Sequence, residues 1–154
     1  MLTIEKVKAD FSFIEAFSGD SELYHNSVIF EGHGDFCDLY FRSREKSIKQ
    51  DQLDKYNEFK IGFKNYLPEI EKYILNSLNN SEISLNDSIS STTLVLEILE
   101  IPYDSFKYDM VLICSKSYKK FFFIKRSINI RVEIKNEKIK SIQRKTDTSI
   151  DNEN

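Results

Sequence analysis

The chain has no tryptophan and only four glycines, two prolines, two cysteines and two histidines among its 154 residues. So few glycines and prolines cannot supply the frequent tight turns of an all-β sandwich, and helical segments are expected beside any sheet. Two cysteines exclude a disulfide scaffold, and the absence of a CxxC pair removes the usual start of a structural zinc site. Cys37 and Cys114 both lie in apolar stretches and are expected as buried thiols. No run approaches the ~20 apolar residues of a membrane span. Glu5 interrupts the start before a signal-peptide core can form, so a cytoplasmic protein is the expectation and the sequons at Asn79 and Asn86 carry no weight. GxGxxG, GxxxxGK, HExxH and GxSxG are all missing, which removes the usual basis for nucleotide, zinc-protease and serine-hydrolase readings. Neither a catalytic residue nor a cofactor is expected.

What is present is a core. Twelve Phe and eight Tyr within a 40% hydrophobic composition are too many for a disordered chain. The length suits one domain, expected over residues 1–144, with 145–154 as a polar, frayed tail. The stretch to Leu23 fits neither period cleanly, and an opening strand is the expectation. Val28–Phe30 and Phe36–Phe41 are β-rich runs around two glycines, which predicts an N-terminal hairpin with Cys37, Leu39 and Phe41 facing the core. Over 48–79, Leu53, Tyr56, Phe59, Phe63, Tyr66, Ile70, Tyr73 or Ile74, and Leu78 recur at steps of three and four, the mark of a helix buried along one stripe. Pro68 should kink this helix or restart it as a second one.

Residues 80–91 read as a loop, and the rest as strands. Leu94–Ile101 and Tyr108–Cys114 are apolar at most positions of both parities, as central strands covered on both faces, or nearly so, would be. Phe121–Ile124 is similar. Ile128, Ile130, Val132 and Ile134 alternate with polar residues, and Asn136-Glu137 forms a two-residue turn before a closing strand at Ile139–Gln143. The predicted fold is α+β: hairpin, kinked helix or helix pair, then an antiparallel meander, with the helix packed on one sheet.

The net charge of −3 hides a division along the chain: residues 1–41 hold eight acids and two bases, and 107–145 hold three acids and twelve bases. Such asymmetry marks a partner surface or lets acidic and basic strands neighbour each other in the sheet, and the second is the expectation. Among residues with possible chemistry, His33 sits between two glycines and is expected at an exposed hairpin tip. Cys37 is four residues on, but a Cys-His pair needs a positioned base and an oxyanion site that no motif supplies. His25, His33 and Cys37 lack the paired spacing of a zinc site. The basic strands, with Arg131 and Lys140 among aromatics, could hold single-stranded nucleic acid. A pI near 5.5 and an economical core role for the Phe run make that the lesser reading.

From Ser27 onward, the hairpin, the Leu53-x-x-Tyr56-x-x-Phe59 opening of the helix and the closing run Ser127-Ile128-Asn129-Ile130-Arg131-Val132-Glu133-Ile134 resemble small uncharacterised bacterial domains found among immunity proteins of toxin systems. The resemblance implies a cytosolic binding protein that neutralises a cognate toxin by direct protein contact, without catalysis and without a membrane partner. A regulatory or housekeeping binding module is the alternative. Because many toxins carry basic clefts, the acidic N-terminal region is the expected partner surface, with Asp20, Glu22, Glu31, Asp35 and Asp38 as its candidates.

Overall fold

A computed structural model describes residues 1–15, 22–33, 36–77, 93–120 and 124–145, with the backbone alone at 118–120 and 124–126. Among the described residues, three helices and seven strands follow in order: α1 Ile4–Asp10, β1 Ser12–Ile14, β2 Glu22–Val28, β3 Cys37–Ser43, α2 Gln50–Gly62, α3 Leu67–Asn76, β4 Val95–Ile101, β5 Met110–Lys120, β6 Ile124–Lys135 and β7 Lys138–Lys145. The strands form one sheet in sequence order, antiparallel throughout except where β3 pairs with β4. That α+β architecture, with an N-terminal hairpin and a C-terminal meander, is the one its periodicities predict.

The parallel β3–β4 pair follows from the helices. Parallel neighbours need a crossover, and the segment carrying α2 and α3 supplies it. Gln52 fixes the start of α2 to the ends of both strands: it is buried, its side-chain oxygen accepts the Lys49 N–H at 2.9 Å, and its amide donates to the carbonyls of Arg42 at 2.9 Å and Ile101 at 3.2 Å. The stripe behaves as its spacing requires. Leu53, Tyr56, Phe59, Phe63, Ile70 and Ile74 are all buried in the core against Leu39, Phe41, Leu99 and Leu112. The helix breaks through a 3-10 turn at Phe63–Asn65 and restarts with Pro68 in the first turn of α3, so the two-helix alternative is the one adopted. Leu78 and the 80–91 loop lie outside the described residues.

Four expectations are corrected. The start of the chain is a helix, not an opening strand: the Thr3 side chain accepts the Lys6 N–H, and Val7 and Phe11, one turn apart, bury themselves in the core. β2 begins at Glu22, six residues before the run that announced it. Of the two strands expected to be covered on both faces, β5 is buried at every position from Met110 to Lys116, whereas β4 exposes Glu97 at a bulge and half-exposes Ile98 and Glu100. Finally, the strands of the acidic N-terminal segment do not neighbour those of the basic C-terminal segment, because β4 lies between them. β1 to β3 form one edge of the sheet and the lysine-rich β6 and β7 the other, so the charge division along the chain becomes a division across the sheet. Phe121–Phe123 lies outside the described residues, with Ile124 opening the long strand β6.

The Asn136-Glu137 turn is as predicted. Both residues take positive φ, 50° and 59°, the geometry that lets a two-residue turn follow the twist of its strands.

Candidate functional site

The three described helices pack on one face of the sheet, and among the described residues the other face carries no helix. Register places His25, Tyr40, Glu100, Val111, Glu133 and Ser141 in one row across that open face, with Ser27, Asp38, Ile98, Ile113 and Arg131 in the next. Charged side chains pair laterally over the apolar centre. Arg42 donates two hydrogen bonds to Glu100, at 3.0 and 3.1 Å, and Arg131 reaches Glu133, which also accepts from the Ser141 hydroxyl. Beneath them Val111 and Ile113 are buried without belonging to the main core. At the β2–β3 side, the His25 side chain lies 3.1 Å from Asp38 and stacks on Tyr40. The hydrogen bond from His25, joined by one from Ser27, holds the Asp38 carboxyl below the usual carboxylate range against a smaller opposing effect of burial. The Arg42–Glu100 and Arg131–Glu133 pairs cancel each other's charge within this face.

The acidic candidates occupy separate places. Glu22, at one end of the β2–β3 ladder, accepts the Lys46 backbone N–H at 2.7 Å. Asp38 lies on the open face near the other end, about 17 Å along the strand at the usual rise. Glu31 is exposed in the connection beyond, lining a recess with Ile29, Lys60, Ile61 and Lys64 on the helix side. Asp20 and Asp35 lie outside the described residues.

His33 is not a free turn residue. Its Nδ1 carries the proton it donates to the Leu94 carbonyl at 3.2 Å, its ring meets Phe63 edge-on, and its own carbonyl accepts the Leu96 N–H at 2.8 Å. Cys37 instead points into the core, where burial pushes its thiol up to about 12, the opposite of a nucleophile's environment. His25, His33 and Cys37 therefore point to an open face, a loop and a core, and are not brought together. Among the described residues no group of three or more His, Cys, Asp or Glu is placed to hold a metal ion. Nor is any described helix long and apolar enough to cross a membrane.

Four basic residues of the C-terminal strands are engaged within the fold. Lys116 pairs with Glu71 at 3.0 Å, Lys135 with Asp109, Arg131 with Glu133, and Lys140 donates to the Lys107 carbonyl.

A concavity of about 1010 Å³ opens between the α2–α3 corner, the entry to β5 and the β6–β7 turn. Asp109 anchors its inner wall. It is nearly buried, accepts the Asn136 N–H at 2.7 Å, and meets Lys55 at 3.2 Å and Lys135 at 3.3 Å. Burial pushes its carboxyl up, but the hydrogen bonds from Asn136, Lys55 and Lys135 outweigh it and bring it below the usual range. Lys55 also donates to Asp51 and to the Ser105 hydroxyl, each at 2.6 Å. A serine beside a lysine is a nucleophile pair only if the lysine can take a proton. Burial lowers the Lys55 pKa, but Asp51 and Asp109 more than offset it, so Lys55 stays an ammonium and is not a base for Ser105.

Between this cavity and the Glu31 recess stands Ile61, 87% exposed and lining both. Ile29 and Phe36, which flank the last β2–β3 pair, are 59% and 67% exposed. Helical periodicity overlooked Ile61 because it falls off the buried stripe, yet an isoleucine among Lys60, Gly62 and Lys64 was the available signal.

No protein-family model matches the chain, and neither a curated protein nor a solved structure matches it.

Proposed function

We propose that this chain is a binding protein of the immunity type, one that neutralises a cognate bacterial toxin in the cytoplasm by direct protein contact. The observation that carries the reading is the exposure of Ile29, Phe36 and Ile61, with Ile61 set between two recesses. Large apolar side chains left in water beside pockets, with charged residues at the rim, are the anchors from which protein interfaces are built. Glu31 is the acidic candidate that shares this patch, and a basic partner surface would meet it there. The engagement of Lys116, Arg131, Lys135 and Lys140 inside the fold leaves less free positive charge for a nucleic-acid platform, which supports the protein partner over the polyanion.

The test is coexpression with the product of an adjacent secreted-toxin gene. The wild-type chain should copurify with that toxin and protect the cells, and an Ile29→Asp, Ile61→Asp variant with an unchanged melt should do neither. Copurification undiminished in that variant would remove the patch from the interface. No protection against any neighbouring toxin would remove the immunity reading.

A further inference from the structure

We infer that the cavity between the α2–α3 corner and the β6–β7 turn receives a lysine or arginine side chain from a protein partner, its aliphatic stem on the floor and its charge at the mouth. The inference rests on the reading of the chain as a protein-binding molecule and gives that reading a chemistry.

The floor is apolar. Phe59, Met110 and Ile134 are buried, and Tyr66 and Ile139 half-buried. The mouth carries Glu58, Glu69 and Glu137, all exposed, and no ion pair among the described residues uses any of them. The cations of the inner wall do not cancel them. Lys55 and Lys135 are matched by Asp51 and Asp109. Lys138 is then the remaining cation on the lining against three carboxylates, and the mouth is negative. The Tyr66 phenol registers that field: burial raises its pKa, and the charges of Glu137 and Glu58 raise it further.

A long basic side chain satisfies both halves. Its methylenes cover apolar surface while its charge stays near water, and the rings of Phe59 and Tyr66, stacked 5.8 Å apart, add an attractive face for a cation. A small metal ion would leave the apolar floor uncovered. An acidic segment would be repelled at the mouth.

The experiment titrates the isotope-labelled chain with an acetylated, amidated peptide, Ala-Leu-Lys-Leu-Ala, following the backbone amides, with norleucine in place of lysine as the control. The lysine peptide should give saturable shifts confined to residues 58–69 and 134–139, and the norleucine peptide should bind about tenfold more weakly, a loss of about 1.4 kcal/mol. A Glu58→Gln, Glu69→Gln, Glu137→Gln variant should lose about the same factor while its other amides stay in place, and the difference should shrink in salt above ~0.15 M. Shifts scattered over the surface, equal binding of the two peptides, or binding of spermidine but not of the peptide would each overturn the inference. A chain that captures its toxin yet shows no shift in the cleft keeps the immunity reading and loses this one. Cleft binding without toxin capture does the reverse.

Discussion

Asp109 accepts the backbone N–H of Asn136 at 2.7 Å, tying the entry of β5 to the turn that joins β6 and β7. The turn needs positive φ at two non-glycine residues, and this bond holds it from outside while Lys55 and Lys135 neutralise the carboxylate. A carboxyl whose pKa is lowered by folding stabilises the fold above its unfolded value of about 4 and loses that contribution as the pH falls through the lower folded value. Asp109→Asn should therefore cost about 1–3 kcal/mol at pH 7 and progressively less below about pH 4. Urea melts at pH 7 and pH 3 measure this. A deficit of the same size at both would mean that the charge contributes nothing.

Phe63 closes the core where α2 gives way to α3. It is 2% exposed and lies within ring contact of Phe30, Phe59 and His33. Truncation to alanine leaves a cavity where the rings of Phe30, His33 and Phe59 meet Phe63. The expected loss is about 3–5 kcal/mol. A urea melt that moved by less than about 1 kcal/mol would contradict the packing around this ring.

The extent to which sequence foretold this molecule follows the range of its signals. Periodicity is local, and it located α2, α3, the β3 face and the Asn136-Glu137 turn. It could not pair β3 with β4 in parallel, because short apolar runs do not name their neighbours. It missed α1, where Thr3, Val7 and Phe11 are too few to outweigh the β-like residues that follow. Opposite charge in two segments does not choose between adjacent strands and opposite edges; strand order does, and the crossover set it. The cleft draws on three separated segments, so no local motif could reveal it.

Both thiols should be silent in the native state. Burial raises the thiol pKa of Cys37 to about 12 and that of Cys114 further, and neither residue is more than 1% exposed. Since the thiolate is the reactive form, a disulfide reagent at pH 8 should modify neither until the chain unfolds. The two should then react together in denaturant. Rapid labelling of Cys37 alone in native buffer would show that the β2–β3 connection opens to expose it.

Lys116 and Glu71 form an ion pair of unequal burial: the lysine side chain is 4% exposed and the glutamate 44%. Removing either partner strands the other, but the consequences differ. Glu71→Ala leaves an ammonium under α3 with no counter-charge, and a buried charge without a partner is costly. Discounted for the water that already reaches Glu71, the loss should be about 1–3 kcal/mol. Lys116→Met leaves a half-exposed carboxylate that water can solvate, and puts an apolar side chain of similar length at a buried position opposite Ile128. That change should be neutral or stabilising, by up to about 1 kcal/mol. Thermal melts of the two single variants and the double decide it. With Lys116→Met in the background, Glu71→Ala should cost almost nothing. An equal cost in both backgrounds would mean that Glu71 acts through α3 alone and that the buried lysine finds its counter-charge elsewhere.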